Sequence, residues 1–83
     1  MQIVWDEPKR LANIDKHGFD LADVTEEFIG SATFFPAKLG RLGAVAIFRE
    51  KLMTAIIEPV GTEALAVISF RPASAKEKRA PWS

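Results

Sequence analysis

Three apolar runs of strand length, separated by two short polar breaks, dominate the second half of this 83-residue chain. The runs are rich in valine and isoleucine, whose branched Cβ atoms fit a pleated sheet better than a helix. The breaks, residues 49–51 and 59–63, have the length of hairpin loops. The pattern therefore predicts an antiparallel meander with strands at residues 42–48, 52–57 and 64–70.

Both faces of this predicted sheet are apolar, because each of the two alternating sets of side chains is apolar. Such a sheet needs a cover on each face. We expect helices to cover one face and leave the other as a shallow partner surface, since small side chains let another backbone approach closely. The alanines expected on that free face are Ala44, Ala46, Ala64 and Ala66.

The N-terminal half predicts two helices. After a short extended run at residues 2–5, Asp6 and Pro8 suit the start of a helix over residues 8–16, which His17-Gly18 would end. Its Leu11 and Ile14 should face the sheet, with Lys9, Asn13 and Lys16 turned outward or along the flanks.

The second helix should begin at Asp20, which is a good N-cap, and end at Gly30-Ser31. Its buried stripe would consist of Leu21, Val24 and Phe28. A short strand at residues 33–35, with both of its phenylalanines at least partly buried, should follow before Pro36 interrupts pairing.

The C-terminal segment has the S-x-x-E spacing of a capping box at Ser74 and Glu77. This spacing predicts a short basic helix over residues 74–79, ended by Pro81. With no repeat and no long linker, we expect residues 1–83 to form a single domain.

Composition limits the classes of site. The chain has no cysteine and one histidine, which excludes a disulfide framework, a thiolate metal site and a structural zinc site. Because no apolar run approaches the ~20 residues of a membrane span, we expect a soluble protein with no membrane contact. The absence of cysteine is compatible with a reducing, cytoplasmic setting. The net charge of zero conceals a segregation: residues 1–30 hold seven acids and three bases, and residues 31–83 hold four acids and eight bases. A basic ligand face is compatible with this distribution.

Both ends of the chain carry spaced motifs. The N-terminal motif is Trp5-Asp6-Glu7-x-Lys9-x3-Asn13-x2-Lys16-His17-Gly18-Phe19. The C-terminal motif is Val67-Ile68-Ser69-Phe70-Arg71-x-Ala73-Ser74-x2-Glu77, and Arg41 matches an arginine that commonly opens the family's sheet. In these features, which cover nearly the whole chain in order, the sequence resembles the BrnT family of type II toxin–antitoxin systems.

The resemblance implies a RelE-like α+β fold, with two N-terminal helices and a short C-terminal helix packed on a small antiparallel sheet. It also implies an endoribonuclease that inhibits translation and is neutralised by a BrnA-like ribbon-helix-helix antitoxin. The implied partners are RNA, this antitoxin, and DNA only through the antitoxin, with a homodimer as a further candidate. We expect no cofactor, because RNA cleavage by internal 2′-hydroxyl attack requires no metal.

That reaction needs a base for the hydroxyl, a cation for the phosphate and an acid for the leaving oxygen. His17 is the natural proton carrier, since it alone has a reference pKa near neutrality, but it also suits a helix C-terminus. Arg71 suits bidentate phosphate contact, with a salt bridge to Glu77 as the alternative. Arg41 either lies at the same edge of the sheet as Arg71 or marks a solvated strand edge. Glu77 is either a general base or a helix-capping residue.

The remaining basic residues are candidates for contacts with the RNA backbone, which make binding salt-dependent. They are Lys9, Lys16, Lys76, Lys78 and Arg79. No metal ligands are predicted.

Three positions depart from the family pattern. Val60 and Ala66 stand where members commonly carry arginines, and Pro81 stands where they commonly carry a tyrosine. A second reading therefore stays open, in which the chain is a catalytically weakened member that binds the antitoxin and acts as a corepressor. A stand-alone RNA-binding module is a third.

Overall fold

A five-stranded sheet with strand order β1-β5-β4-β3-β2 is the centre of the computed structural model, which describes residues 1–79. That range also contains three α-helices and two 3-10 turns. The elements are β1 (Gln2–Trp5), α1 (Glu7–His17), a 3-10 turn (Leu21–Asp23), α2 (Glu26–Ser31), β2 (Thr33–Pro36), a second 3-10 turn (Lys38–Gly40), β3 (Leu42–Phe48), β4 (Lys51–Val60), β5 (Ala64–Pro72) and α3 (Ala75–Lys78).

The α+β class and the three-stranded meander are confirmed, but the sheet is not purely antiparallel. Strand β1 pairs in parallel with β5, placing Gln2 opposite Ala64 and Trp5 opposite Val67. A parallel pair needs a long connection. Because the partner of β1 lies some sixty residues further along the chain, its pairing could not be read from local pattern.

One face of the sheet packs against the first 3-10 turn and α2. Phe70 on β5 is fully buried at the centre of this core. The rings of Phe19, Phe28 and Phe48 meet it edge-on at centroid distances of 6.0, 5.4 and 5.3 Å. Such edge-to-face contacts are the favoured aromatic geometry, so Phe70 joins helical and sheet residues in one cluster.

The prediction that four alanines share the free face of the sheet is wrong. Ala44 and Ala46 are buried in the core on the helical side of the sheet. Ala66 instead lies opposite Glu58 on the other side, and the paired Ala64 and Val60 follow the same alternation. The assumed register shifts because β5 carries a bulge, with Ile56 opposite Ser69 and Ile57 opposite Val67. One extra residue reverses which side chains share a face.

The orientation predicted for α1 is also wrong. Leu11 and Ile14 are 55% and 37% exposed, whereas Asn13 is only 7% exposed. Asn13 Nδ2 donates to the carbonyl oxygens of Phe70 and Phe19, each at 2.8 Å, and its Oδ1 accepts from the Phe70 N–H at 3.2 Å. Strand β1 ends opposite Val67 and does not reach Phe70. The Asn13 amide therefore makes the hydrogen bonds that a neighbouring strand would otherwise make to the Phe70 backbone.

The end of α1 agrees with the sequence. Gly18 adopts the left-handed conformation (φ 78°), and its N–H donates to the Ile14 carbonyl. The glycine thus caps the helix as predicted. The Asp6 side chain makes no cap bond, although Asp6 occupies the N-cap position and a proline lies in the first turn.

The predicted second helix is divided. Asp20 caps the 3-10 turn by accepting from the Ala22 N–H, and Thr25 caps α2 by accepting from the Phe28 N–H. The extended backbone of Val24, with φ −79° and ψ 98°, separates the two pieces. The predicted stripe is nevertheless buried, because the break changes the path of the chain and not the face that its apolar residues present.

The two adjacent phenylalanines of β2 have different environments. Phe35 is partly buried, and a Cβ atom at Gly43 would overlap its ring, so the glycine is what allows this close approach. Phe34 is 45% exposed, which contradicts the expectation for that residue. Strand β2 includes Pro36, opposite Leu42, because proline is tolerated on an edge strand.

The capping box of α3 is confirmed, with Ser74 Oγ accepting from the Glu77 N–H and Glu77 accepting from the Ser74 N–H. The predicted terminator Pro81 lies outside the described residues. No helix in the described range is long and apolar enough to cross a membrane.

The β3–β4 hairpin turn is strained. Arg49 and Glu50 both have positive φ, at 49° and 68°, in a two-residue loop where asparagine and glycine are the usual residues. A Cβ atom in this region collides with the following carbonyl oxygen. The Arg49 guanidinium lies 4.8 Å from the centroid of the Phe48 ring. This cation–π contact stabilises arginine at position 49.

We predict that Glu50→Gly raises the free energy of unfolding by about 1 kcal/mol, because it removes the Cβ clash of one left-handed residue. Urea denaturation measures the change. The matched control, Glu50→Ala, keeps the Cβ atom and should give no such gain. Equal stabilisation by both variants would attribute the effect to the lost charge.

We predict that Asn13→Ala lowers the free energy of unfolding by about 2–4 kcal/mol, since the Phe70 N–H and carbonyl lose their partner inside the protein. The control Leu11→Ala, on the same helix, should change stability by less than about 0.5 kcal/mol because Leu11 is exposed. Urea denaturation of both variants checks the orientation of α1, and a larger loss for Leu11→Ala would contradict it.

Candidate functional site

An open groove of about 310 Å³ lies where α1 meets the sheet. Strand β5 supplies Ile68 and Ser69 to its lining, and Arg41 enters from the start of β3. The residues from α1 are Lys9, Ala12, Asn13, Lys16 and His17. The groove thus joins the N-terminal and C-terminal motifs with Arg41.

The helical spacing explains why these α1 residues share one side. Side chains three and four positions apart lie next to each other on a helix, and the lining positions follow that spacing. The amide of Asn13, fixed to Phe70, sets the rotation of the helix about its axis. Lys9 and Lys16 therefore flank Asn13 along the groove, and His17 ends the helix.

His17 lies in a cationic environment. Partial burial lowers the pKa of its imidazole, and the charges of Lys16 and Arg71 lower it further. All three effects disfavour the protonated ring. His17 is therefore neutral near pH 7 and presents a nitrogen lone pair that can accept a proton.

Arg41 has an incomplete set of partners. Its Nε atom is buried, and it is the one such side-chain atom among residues 1–79 with no hydrogen-bond partner. The nearest carboxylate oxygen, Glu58 Oε1, lies 3.7 Å away, which is an ion-pair distance too long for a hydrogen bond. Arg41 therefore brings a positive charge to the groove lining that the Glu58 carboxylate approaches without a hydrogen bond.

Arg71 is differently placed, because α3 holds it. Its Nη1 and Nη2 atoms donate to the two carboxylate oxygens of Glu77, at 2.8 and 3.0 Å. The same carboxylate accepts from Thr54 Oγ1 at 2.8 Å, and Thr54 is fully buried. The salt bridge weighed in the sequence analysis is thus present and attaches α3 to the sheet face opposite the main core.

The carboxylate of Glu77 is strongly stabilised as an anion. Hydrogen bonding to Arg71 lowers its pKa most, followed by the bonds from the Ser74 N–H and Thr54, and together they outweigh burial and bring the pKa to about 2. The same pair raises the pKa of Arg71. A carboxylate this acidic is a poor proton acceptor, so the geometry favours a structural role for Glu77.

The predicted RNA contacts fall in two places. Lys9 and Lys16 line the groove. Lys76, Lys78 and Arg79 are exposed on and just after α3, and none of them lines it.

No family model and no curated protein sequence matches the chain. A solved structure does: a 1.1 Å crystal structure of the Brucella abortus ribonuclease toxin BrnT, which is 53% identical over 89% of this chain and 97% of its own, with a TM-score of 0.83. The chain belongs to the BrnT family.

Two groove residues of this BrnT-family chain were missed as site residues. Asn13 and Ser69 lie in the N-terminal and C-terminal motifs, but the sequence predicted no site role for either. The signal for Ser69 was available, because it lies two residues before Arg71 in an alternating strand. No local signal revealed Asn13, whose partner Phe70 is 57 positions away along the chain.

Within residues 1–79 no three or more histidine, cysteine, aspartate or glutamate side chains are grouped so as to hold a metal ion.

The pKa of Glu77 predicts a stability loss in acid. Because the pKa is about 2 in the folded protein and 4.5 for an unperturbed glutamate, the stabilisation is complete above pH 4.5 and is lost as the pH falls toward 2. Glu77→Gln should remove this part of the pH dependence and be less stable at neutral pH by about 1–3 kcal/mol. Urea denaturation across an acid pH series tests this.

The matched control is Ser74→Ala, which removes the N-cap hydroxyl but leaves the ion pair with Arg71. It should cost about 0.5–2 kcal/mol and keep the acid dependence of the wild type. An unchanged acid slope in Glu77→Gln would show that other carboxylates cause the loss.

Proposed function

We propose that this chain is the ribonuclease toxin of a type II toxin–antitoxin pair. It is an endoribonuclease that cleaves RNA without a metal, inhibits translation in the cytoplasm, and is neutralised by a BrnA-like ribbon-helix-helix antitoxin. In fold class we place it with the RelE-like ribonucleases. The 53% identity to a protein described as a ribonuclease toxin supports the activity.

The observation that carries the proposal is the composition of the groove. It brings a neutral imidazole, an incompletely paired guanidinium and two ammonium groups together at the junction of α1 and the sheet. A phosphodiester bears negative charge, and its cleavage needs a base and charge stabilisation in one place. The groove supplies each of these.

In the proposed reaction His17 accepts the proton of a ribose 2′-hydroxyl as that oxygen attacks the adjacent phosphorus. A P–O2′ bond forms and the P–O5′ bond breaks, giving a 2′,3′-cyclic phosphate and a 5′-hydroxyl. The leaving oxygen takes up a proton, for which the ammonium groups of Lys9 and Lys16 are the candidate donors in the groove. Proton transfer of this kind contributes about 10²–10⁴-fold to a rate.

Arg41 is the proposed phosphate ligand. It lines the groove, and its Nε lies 3.7 Å from the Glu58 carboxylate, too far for a hydrogen bond, so its charge can stabilise phosphate oxygens as negative charge develops on them. Arg71 contributes differently, because Glu77 occupies its guanidinium. We propose that its charge helps to hold His17 neutral and that the Arg71–Glu77 pair mainly anchors α3.

The antitoxin and RNA are the proposed partners, and DNA is reached only through the antitoxin. The exposed cations of α3, Lys76, Lys78 and Arg79, would add salt-dependent contacts to the RNA backbone outside the groove.

The test is cleavage of RNA by the purified protein in excess chelator. We predict that Arg41→Ala and His17→Ala each lower kcat by about 10²–10³-fold, the scale of losing one preorganised contact or proton carrier. Arg49→Ala is the matched control, since this exposed arginine lies on the hairpin outside the groove, and its activity should equal that of the wild type.

Circular dichroism and urea denaturation of the same variants separate chemistry from folding. Normal cleavage by Arg41→Ala and His17→Ala would remove the groove from consideration. Failure of the wild type to cleave any RNA, together with retained antitoxin binding, would favour the corepressor reading.

A further inference from the structure

Ser69 lies in the groove without a role in the reaction above, and its hydroxyl is held in one orientation. The evidence begins with Asn13, whose Nδ2 lies 2.8 Å from two carbonyl oxygens and whose other amide atom accepts from the Phe70 N–H. A carbonyl only accepts and an N–H only donates, so these three contacts fix which end of the amide is oxygen.

The fixed amide determines the direction of the next bond. Ser69 Oγ lies 3.3 Å from Asn13 Oδ1, and an amide oxygen cannot donate. In this contact the serine hydroxyl is therefore the donor and Asn13 the acceptor. What remains is its acceptor capacity, because a hydroxyl oxygen carries two lone pairs.

This acceptor stands among donors. The charged groups of the groove, Lys9, Lys16 and Arg41, can only donate hydrogen bonds and suit phosphate oxygens. The groove would therefore receive a donor group of the substrate at Ser69 or at the neutral ring of His17. In a polynucleotide backbone the one such donor is the ribose 2′-hydroxyl, which distinguishes RNA from DNA.

The two acceptors cannot serve the same hydroxyl. The attacking 2′-hydroxyl has one proton, which the proposed reaction transfers to His17. Ser69 is left for a different ribose. We infer that Ser69, oriented by Asn13, accepts a hydrogen bond from the 2′-hydroxyl of a ribose flanking the attacking one, so that the groove selects consecutive ribonucleotides.

This inference rests on the proposed function, and its test is made independent of cleavage. The probes are two oligonucleotides of one sequence, with uniform 2′-amino or 2′-fluoro substitution. Both lack the attacking hydroxyl, but the amino group keeps a hydrogen-bond donor and the fluorine does not. Binding is measured at mildly alkaline pH, where the amine is neutral.

The wild type should bind the 2′-amino oligonucleotide about 3–10-fold more tightly than the 2′-fluoro one, the range expected for one neutral hydrogen bond. Ser69→Ala should lower this ratio by about the same factor while its affinity for the 2′-fluoro oligonucleotide stays unchanged. Ser69→Cys, which nearly keeps the volume but offers only a weak acceptor, should lower it as well.

The matched control is Ser31→Ala, which removes a serine hydroxyl bonded to the Phe28 carbonyl on α2, outside this groove. The ratio of its affinities for the 2′-amino and 2′-fluoro oligonucleotides should equal that of the wild type. Equal binding of the two oligonucleotides by the wild type, or an unchanged ratio in both Ser69 variants, overturns the assignment. A protein that discriminates between the oligonucleotides but cleaves no RNA would refute the proposed activity and leave the role of Ser69 standing.

Discussion

The pairing of the Asn13 amide with the backbone of Phe70 is the interaction on which the rest of the structure depends. Phe70 places its ring among three other phenylalanines in the core, and its N–H and carbonyl bind the helix that carries His17. Because β1 ends opposite Val67, these backbone groups would otherwise lack a protein partner. One residue thus couples the core to the groove, and the position of the candidate base follows from core packing.

The two arginines near the groove show how one type of side chain takes two roles. Arg71 donates to both oxygens of Glu77 and attaches α3 to the buried Thr54. Arg41 has a carboxylate only at 3.7 Å and keeps a buried donor unpaired. An unpaired buried donor costs about 1–3 kcal/mol. Because Glu58 does not hold it by a hydrogen bond, Arg41 contributes its charge to the lining of the groove.

Much of the fold was predictable because it depends on short-range patterns. The β-branched runs predicted three strands, Gly18 predicted the end of α1, and Ser74 with Glu77 predicted the capping box. The candidate site was predicted in part, since Lys9, Lys16, His17 and Arg41 do line one groove. Ser69 and Asn13 were not recognised, because their roles depend on a hydrogen bond between elements distant in sequence.

The sequence by itself determined the strands, the ends of α1 and the family, because propensity, capping and motif spacing act over a few residues. Only the tertiary structure decided which side of α1 is buried, since Asn13 found backbone partners that outweighed the burial of Leu11 and Ile14. It also decided which alanines face the core, because the β5 bulge reverses the alternation after one inserted residue. Both outcomes rest on contacts between distant segments, whose geometry exists only once the chain has folded.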